Sequence, residues 1–294
     1  MSIDVYLAAL AAAIVWGIDP ILSKRGMAYG GHPLQAAFAI ISIGTIIFWV
    51  ALFLTQGSNA ILGISPRIAI IFLAGGLLGT TLGRISFYIG IDKVGASIAG
   101  IGASTLPAFA AILALFFLNE PLSILHSLGI LLVIIGLSLL ATSKGGNISG
   151  WSFKDLSLPI FAGFAFGLGQ VIRRYGLVET PATVLQAIAL NDTAAFLGLF
   201  SFLLFYRRDL LSLPPLPATI RFVAAGIISS LGLFLAFTAL DIGRVAIVST
   251  LISTAGLFTV LLSFLFLRDL ELITKKVAIG AIFVAVGAGI MIYF

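Results

Sequence analysis

Cysteine is absent from the sequence, which excludes a disulfide framework, a thiolate metal site and a cysteine nucleophile. Histidine is almost as scarce. His32 and His126 stand alone near predicted loops without metal-ligand spacing, so no metal or other cofactor is predicted. Phosphate-binding glycine loops, serine elbows, zinc helices and paired catalytic carboxylates are also missing, and the sequence therefore does not predict an enzyme.

Charge is in short supply as well. Only 9% of the residues are charged, whereas 61% are hydrophobic, and the mean hydropathy is +1.22. These values exceed those of soluble domains, so the chain is expected to hide its apolar surface in a lipid bilayer. The net charge of +5 rests on few residues between apolar runs, which favours lysine and arginine at a membrane surface over nucleic-acid binding.

Apolar runs of about 20 residues can cross the hydrocarbon as helices, and the sequence contains ten. The predicted spans are 4–23, 34–54, 67–91, 96–118, 122–142, 156–174, 183–206, 219–240, 244–267 and 274–294. The first lacks a cleavage site after a basic head, so it is interpreted as a retained span rather than a signal peptide. Connections are short, apart from the turn-rich segments 55–66 and 211–217.

One stretch of the chain occurs twice. Residues 88–120 align without a gap on residues 237–269. Apolar matches are common in such a sequence, so the polar matches carry the argument for a duplication. These pair Asp92 with Asp241, Ser104-Thr105 with Ser253-Thr254, and Glu120 with Asp269; in earlier spans, Trp16-Gly17 pairs with Phe166-Gly167 and Leu34-Gln35-Ala36 with Leu185-Gln186-Ala187.

Each copy contains five predicted spans. Residues 1–143 form the first copy, 144–155 a linker and 156–294 the second copy. Because five is odd, the second copy must enter the membrane from the opposite face. The predicted fold class is therefore an all-α membrane protein of ten transmembrane helices, arranged as two inverted five-helix repeats, which is typical of secondary transporters.

Glycines at helical spacing predict close packing between spans. Gly75, Gly79 and Gly83 recur every fourth residue in the third span, and Gly163 and Gly167 do so in the sixth. Lipid provides no hydrophobic drive for helices to associate, so smooth faces that let backbones approach are expected to supply much of the attraction.

Orientation is predicted from the basic residues. Most lysines and arginines lie near the loops that follow the odd-numbered spans, whereas the other face has only Arg67, Arg173, Arg174 and Arg244. The positive-inside rule then places both termini outside the cell.

The segment from Pro107 to Glu120 runs from proline through small and bulky apolar residues to an acidic helix end. It resembles the EamA-type repeat of the drug/metabolite transporter superfamily, as does Trp16-Gly17. In the second copy, Gly256 replaces the proline and Asp269 the glutamate. The resemblance covers essentially the whole chain. It implies a ten-helix carrier for a small metabolite, often an exporter of amino acids or related compounds. It also implies cytoplasmic termini, which disagrees with the orientation predicted from the basic residues.

Charged side chains inside the bilayer are costly and are therefore functional candidates. Arg84 lies within the third span, with Tyr88 one turn further on, and its fork suits a carboxylate or phosphate in a central cavity. The alternative is a structural ion pair with Asp19. Asp19 precedes Pro20, which can break or bend a helix beside a binding site. Asp19 could bind an amine or a coupling proton, or could lie at the membrane surface beside Lys24.

Asn191 and Asp192 fall near the middle of the seventh span. A desolvated carboxyl group there could accept a coupling proton, or the two side chains could form a polar lock between helices. The hydroxyls of Ser104-Thr105 and Ser253-Thr254 could line a polar path or bond back to their own helices.

Aromatic residues could form apolar walls for an apolar or aromatic substrate, although phenylalanine more often packs against protein or lipid. The aromatic candidates are Trp16, Phe109, Phe166 and Phe237, and Gln170 and Thr254 complete the set of candidate binding residues. Glu120 and Asp269 are predicted to be capping or interfacial residues.

Together these features predict a multi-pass secondary transporter of the plasma or inner membrane. A small molecule would bind near the midplane between the two repeats, with protons as a candidate coupling ion, and the repeats would expose it alternately. A lipid-modifying intramembrane enzyme is one alternative, but it needs a convergent nucleophile, base and oxyanion site that the scattered polar residues do not offer. A non-transporting scaffold is the other.

Overall fold

The computed structural model describes residues 3–117, 124–141, 145–147 and 150–290, and these are almost entirely helical. Within them, eight helical segments are long and apolar enough to cross a membrane. They are Asp4–Ala28, Pro33–Leu62, Pro66–Val94, Ala96–Leu113, Phe153–Glu179, Val184–Tyr206, Leu216–Ile242 and Val248–Phe266. Glu120 and the predicted domain boundary at 143–144 lie outside the described residues.

The helices follow one another with short connections. Those before the midpoint are α1 (Ile3–Ala28), α2 (Pro33–Leu62), α3 (Pro66–Gly75), α4 (Leu82–Val94), α5 (Ala96–Ala103), α6 (Leu106–Phe117) and α7 (Ile124–Ala141). Those after it are α8 (Ser157–Glu179), α9 (Val184–Tyr206), α10 (Leu216–Ile242), α11 (Val245–Ser253), α12 (Ala255–Phe266) and α13 (Lys275–Ile290). A π-helical turn, Gly76–Thr81, joins α3 to α4, and 3₁₀ turns cover Phe153–Leu156 and Arg208–Leu211.

Several helices continue beyond the spans predicted from hydropathy. α1 runs through Pro20 without a break and ends at Ala28 rather than at residue 23, and α8 ends at Glu179 rather than at residue 174. Hydropathy falls at the first basic residues, whereas the helical hydrogen-bond ladder continues past them. The predicted connection 55–66 is also partly helical, because α2 extends to Leu62 across a kink at Gly57.

Basic residues near the ends of α1 and α8 hold neighbouring helix ends. Lys24 Nζ donates to the Ile91 carbonyl at 3.1 Å, near the end of α4. Arg174 Nη1 donates to the Leu240 carbonyl at 2.6 Å, near the end of α10. Both cations bind carbonyl groups in the last turn of a neighbouring helix, where a positive charge is favourable.

Two helical spans are broken in their interior. Ser104 and Thr105 separate α5 from α6, and Thr254 separates α11 from α12. The breaks touch each other, since Ser104 Oγ donates to the Ser253 carbonyl at 2.6 Å. Backbone groups released by the breaks are thus satisfied inside the protein, as burial in lipid requires.

Of the glycines predicted to form a close-packed face on the third span, Gly79 and Gly83 do so, whereas a Cβ at Gly75 would come no closer than 3.3 Å to a neighbour and the adjacent Gly76 makes the close approach instead. A Cβ atom at Gly76 or Gly79 would collide with the main chain of Asn191 or Gly169, and one at Gly83 with the ring of Phe166. α3, the π-helical turn and α4 can therefore approach α8 and α9 only because these positions have no side chain.

A short ladder ties the middle of the chain to the connection before α13. β1 (Gly146–Asn147) pairs antiparallel with β2 (Glu271–Leu272). The side chain of Glu271 is 2% exposed and accepts hydrogen bonds from the main-chain nitrogens of Ala96 and Ser97, so it caps α5. A carboxylate at a helix N-terminus is favourable because it meets free N–H groups.

Two buried apolar clusters occupy the interior, one around Tyr88 and Phe222 and the other around Phe72 and Phe237. Large apolar side chains such as Leu54 are exposed on the outside. This distribution fits a surface that contacts lipid, because hydrocarbon accepts apolar side chains without cost.

Gly76→Ala is expected to destabilise the fold, because the new methyl group would collide with the Asn191 carbonyl and α9 would have to shift. Overpacking of this kind costs roughly 1–3 kcal/mol, so the thermal unfolding midpoint of the detergent-purified protein should fall. Gly289→Ala is the matched control, since no neighbouring atom lies within 4 Å of its added Cβ. Equal midpoints for the two variants would contradict the predicted close approach.

Candidate functional site

A cavity of about 110 Å³ lies between helices from both parts of the chain. Its polar wall combines charged, amide and hydroxyl side chains, which are Asp19, Thr80, Arg84, Ser104, Gln170, Arg173, Ser229, Ser253 and Thr259. Its aromatic wall consists of Trp16, Phe87, Tyr88 and Phe166. The cavity is small beside the roughly 300–1,000 Å³ of pockets for drug-sized ligands, so it suits a small molecule.

Asp19 is the centre of one buried network. The Tyr88 hydroxyl lies 2.8–2.9 Å from both carboxylate oxygens of Asp19, and Ser23 Oγ donates to Oδ1 at 3.0 Å. Arg84 completes the network, with Nη1 3.8 Å from Asp19 Oδ2 and 3.2 Å from the Tyr88 hydroxyl. Nη2 of Arg84 donates to Ser229 Oγ at 2.9 Å. The network connects α1, α4 and α10. Asp19 is only 4% exposed, so it does not lie at the surface beside Lys24, which was one of the two predicted environments.

Arg173 is the centre of the second network. Its Nε donates to Asn191 Oδ1 at 3.0 Å, and its Nη2 donates to Thr80 Oγ1 at 2.6 Å. The guanidinium carbon lies 5.2 Å from the centre of the Phe237 ring, within cation–π range. The charge count that assigned Arg173 to a membrane face was wrong, because α8 continues beyond it and the side chain is 5% exposed.

Asn191 and Asp192 lie on α9 beside this network and do not line the cavity. Asn191 Nδ2 lies 2.9 Å from Thr80 Oγ1 and 3.2 Å from Asp192 Oδ1. Asp192 is 3% exposed, and its Oδ2 faces Gly44 of α2 closely enough that a Cβ there would collide with it. The roles predicted for these residues, proton acceptor or polar lock, both remain predictions.

The other candidates divide between the wall and the surrounding protein. Trp16 Nε1 donates to the Ser229 carbonyl at 3.2 Å, and Gln170 Oε1 accepts from Ser249 Oγ at 2.6 Å, so both wall residues are fixed. Three candidates lie outside the wall. Phe109 packs edge-on against Phe164, Phe237 stacks on Arg173, and Thr254 bonds to the Leu251 carbonyl.

Four polar residues of the described wall were absent from the predicted set: Thr80, Arg173, Ser229 and Thr259. A signal for two of them existed. Thr80 and Ser229 are separated by the same number of residues as Ser104 and Ser253, so they are equivalent hydroxyls of the two copies. The described residues contain no group of three histidine, aspartate or glutamate side chains that could hold a metal ion.

The fold and the site together define a multi-pass helical membrane protein with a small polar cavity enclosed by its spans. The chain belongs to the EamA-like transporter family, whose sequence profile matches residues 4–142 and again 153–293. This match confirms the resemblance found in the sequence, and it confirms that the chain contains two such repeats.

Named relatives are similar over part of their length. An uncharacterized transporter of Clostridium kluyveri is 30% identical over 131 residues, covering 44% of this chain and 40% of that protein. A WAT1-related chloroplastic protein of Arabidopsis thaliana is 27% identical over 164 residues, covering 54% of this chain and 38% of that protein. The chain thus spans about two fifths of the length of the curated relatives that it matches.

The fold also occurs in a solved crystal structure. It superposes with a TM-score of 0.70 at 17% sequence identity, and the match covers 99% of this chain and 96% of the other. At this identity the likeness concerns the fold alone, and it extends over the complete helical arrangement.

Arg84→Met is expected to be strongly destabilising, because it leaves the Asp19 carboxylate buried without its cation. Breaking such a pair from one side costs about 3–5 kcal/mol. The double variant Asp19→Asn, Arg84→Met should unfold at a higher temperature than Arg84→Met alone, since it buries no lone charge. Thermal unfolding of the four proteins of this cycle measures the coupling, and strictly additive effects would show that the two groups do not interact.

Proposed function

We propose that this protein is a secondary transporter of the plasma or inner membrane that exports a small metabolite, an amino acid or a related compound. The observation that carries the proposal is the cavity, whose charged and aromatic wall is built by spans from both repeats. A binding site between two repeats is what alternating access requires. The family assignment favours transport over a lipid-modifying enzyme or a scaffold.

The transporter is proposed to have ten spans in two inverted repeats. α7 and α13 supply the fifth and tenth spans beside the eight already described. They pack against each other closely, because a Cβ at Gly136 of α7 would meet the Gly280 carbonyl of α13 at 2.8 Å. The proposed repeats are residues 1–143 and 156–294, with 144–155 as the linker.

Equivalent glutamines support the inversion. Gln35 and Gln186 are matched positions at the start of the second span of each repeat. Gln35 Nε2 donates to the Ser212 carbonyl at 2.8 Å, whereas Gln186 Nε2 donates to the Ala60 carbonyl at 2.6 Å. Gln35 and Ala60 lie at opposite ends of α2, which is expected if the matched connections of the two repeats lie at opposite ends of the bundle.

A set of polar contacts between the repeats closes one end of the bundle. Arg25 of α1 forms an ion pair with Asp269, and Glu271 accepts from Ser97 Oγ at 2.6 Å. Both acceptors belong to the connection between α12 and α13, and both donors to the first repeat. In the proposed cycle, opening at this end requires these contacts to separate, whereas the cavity opens at the other end when they are intact.

Asp192 is proposed as the proton-coupling group. Its carboxylate is buried, and the ion pairs among the described residues do not include it. The hydrogen bond from Asn191 is the one that its carboxylate accepts from a side chain within this part of the chain. A carboxyl group with so little compensation can exchange a proton during transport, and its neighbour Asn191 connects it to Arg173 at the cavity wall.

Labelling of single cysteines tests the inverted arrangement, since the natural chain has none to remove. Tyr29→Cys and Glu179→Cys occupy matched, exposed positions at the ends of α1 and α8. A membrane-impermeant maleimide added to sealed, oriented vesicles should label one position before permeabilisation and the other only after it. Labelling of both from the same side would contradict inverted repeats, and an introduced cysteine at exposed Asp241 serves to verify vesicle sealing.

A flux assay tests transport and coupling. A metabolite screen of cells with and without the protein identifies the exported compound, and proteoliposomes then measure its movement. An imposed pH gradient should drive accumulation by the native protein, whereas Asp192→Asn should show downhill flux without accumulation.

Asp4→Asn, an exposed substitution in the first turn of α1, should accumulate the compound like the native protein. Accumulation by Asp192→Asn at the native level would remove Asp192 from the coupling step. Absence of flux for every metabolite tried, in cells and in liposomes, would contradict the transporter itself.

A further inference from the structure

Arg173 differs from the other cavity arginine because it has no carboxylate partner. Arg84 lies 3.8 Å from Asp19, whereas Arg173 takes part in none of the ion pairs formed by the described residues. Its hydrogen bonds end on neutral oxygens, those of Asn191 and Thr80. Its Nη1 donates to no acceptor in this part of the chain. A buried guanidinium with neutral partners and a free donor is a site for an anion.

The charge of the cavity wall points the same way. The charged side chains that line the cavity are Asp19, Arg84 and Arg173. Asp192 is a fourth charged group, buried behind the wall and linked to Arg173 through Asn191. The cluster therefore has one surplus positive charge when Asp192 is protonated, as it is in one step of the proposed proton coupling. The dielectric constant in the interior of a membrane protein is low, and an uncompensated charge there is costly. A ligand with a single negative charge neutralises the wall, whereas a cationic ligand would add to the surplus.

The geometry of Arg173 is fixed before any ligand binds. Two neutral side chains hold its nitrogens, and the Phe237 ring lies against the guanidinium. Gly79 and Gly169 leave room for it, because a Cβ at either position would lie only 3.2–3.3 Å from its Nη2. A group that is already ordered loses little conformational entropy on binding, which favours affinity.

An amine, in contrast, finds at Asp19 a carboxylate that already has a cationic partner and two hydroxyl donors. Both carboxylate oxygens of Asp19 accept from the Tyr88 hydroxyl, Oδ1 also accepts from Ser23, and Arg84 is close to Oδ2. An ammonium group there would share this single carboxylate with Arg84 and would bring a second cation next to it. The site therefore favours a negative group over a positive one.

We infer that the cavity binds a small organic monocarboxylate, with the carboxylate on Arg173 and an apolar or aromatic body against Trp16 and Phe166. The inference rests on the proposed function and specifies its substrate class. One surplus charge matches a monoanion, so a carboxylate is favoured over a doubly charged phosphate ester. An amino acid would bind through its carboxylate, and its amino group would contribute nothing.

Ligands that share a phenyl body separate these possibilities. The probes are 3-phenylpropanoate, L-phenylalanine, 2-phenylethylamine, the neutral 3-phenylpropan-1-ol and phenyl phosphate. Binding to purified protein in nanodiscs is followed by tryptophan fluorescence, to which Trp16 in the wall contributes. 3-Phenylpropanoate should bind about tenfold or more tightly than the alcohol and the amine, because hydrogen bonds to charged groups are the stronger class. L-Phenylalanine should bind no more tightly than 3-phenylpropanoate.

Substitutions assign the preference to one side chain. Arg173→Gln should abolish the advantage of 3-phenylpropanoate over the alcohol while the alcohol still binds, which shows that the cavity is intact. Arg173→Lys should retain part of the advantage, since it keeps the charge without the fork. Arg67→Gln is the matched control at an exposed position at the start of α3 and should bind all five probes like the native protein.

Each contrary result overturns the inference. Tighter binding of the amine or the alcohol, an unchanged preference in Arg173→Gln, or no binding of any probe excludes an anion site at Arg173. Tighter binding of phenyl phosphate excludes the carboxylate. The proposed transport function is judged separately. Flux without a preference for anions would support transport and contradict the anion site, whereas a preference for anions without flux would support the anion site and contradict transport.

Discussion

The energetic cost of charge in a bilayer is the constraint on which this structure depends. Five charged side chains in the described membrane-crossing helices, Asp19, Lys24, Arg84, Arg173 and Asp192, are each less than one-tenth exposed. Isolated charges at such depth are expensive and need partners. All of these side chains except Asp192, whose side-chain donor is Asn191 of the same helix, bind groups on other helices. The resulting hydrogen bonds connect α1, α4, α8, α9 and α10, and thereby set how these helices are rotated and where they cross.

The π-helical turn is a part of this solution. Thr80 lies within it, and its hydroxyl meets both Arg173 and Asn191. Each residue of an α-helix turns the chain by about 100°, so the wider π-helical turn changes the direction in which Thr80 and the following residues project. The neighbouring Gly76 lets the same segment contact the main chain of α9. The π-helical turn and the glycine within it therefore both help to position the polar side chains of this segment.

The sequence alone was sufficient to predict that the chain lies in a lipid bilayer, that it is helical and that it contains a repeat. Hydropathy and matched polar residues, on which these predictions rest, depend only on local composition and spacing. The glycine faces were also predictable, since every fourth residue of a helix lies on one side. The burial of Arg173 was not predictable, because hydropathy ended the sixth span at the first arginines. In the sequence, a buried arginine near the end of a span cannot be distinguished from one at the membrane surface. Thr80 was missed for a related reason. A single threonine in a span can be identified as a site residue only when its partners on another helix are known.

The six candidates that line the cavity share a feature that sequence could reveal, namely polarity or aromaticity in the interior of a span. Asn191, Asp192 and Phe237 have the same feature and lie behind the wall, where they support Arg173 directly or through one another. Which residues face a cavity and which support those that do depends on helix rotation. That rotation is fixed by contacts distant in sequence, and therefore it becomes visible only in the folded chain.

The contact between Ser104 and Ser253 has a mechanical consequence. These matched residues bond to each other at the breaks of their spans, where the pseudo-two-fold axis of an inverted pair would pass. Points near the fulcrum of a rocking motion are displaced least, and distant points are displaced most. In the proposed cycle the serine contact can thus persist as a pivot, while the same small rotation, acting through the length of the helices, would separate Arg25 from Asp269 at the end of the bundle.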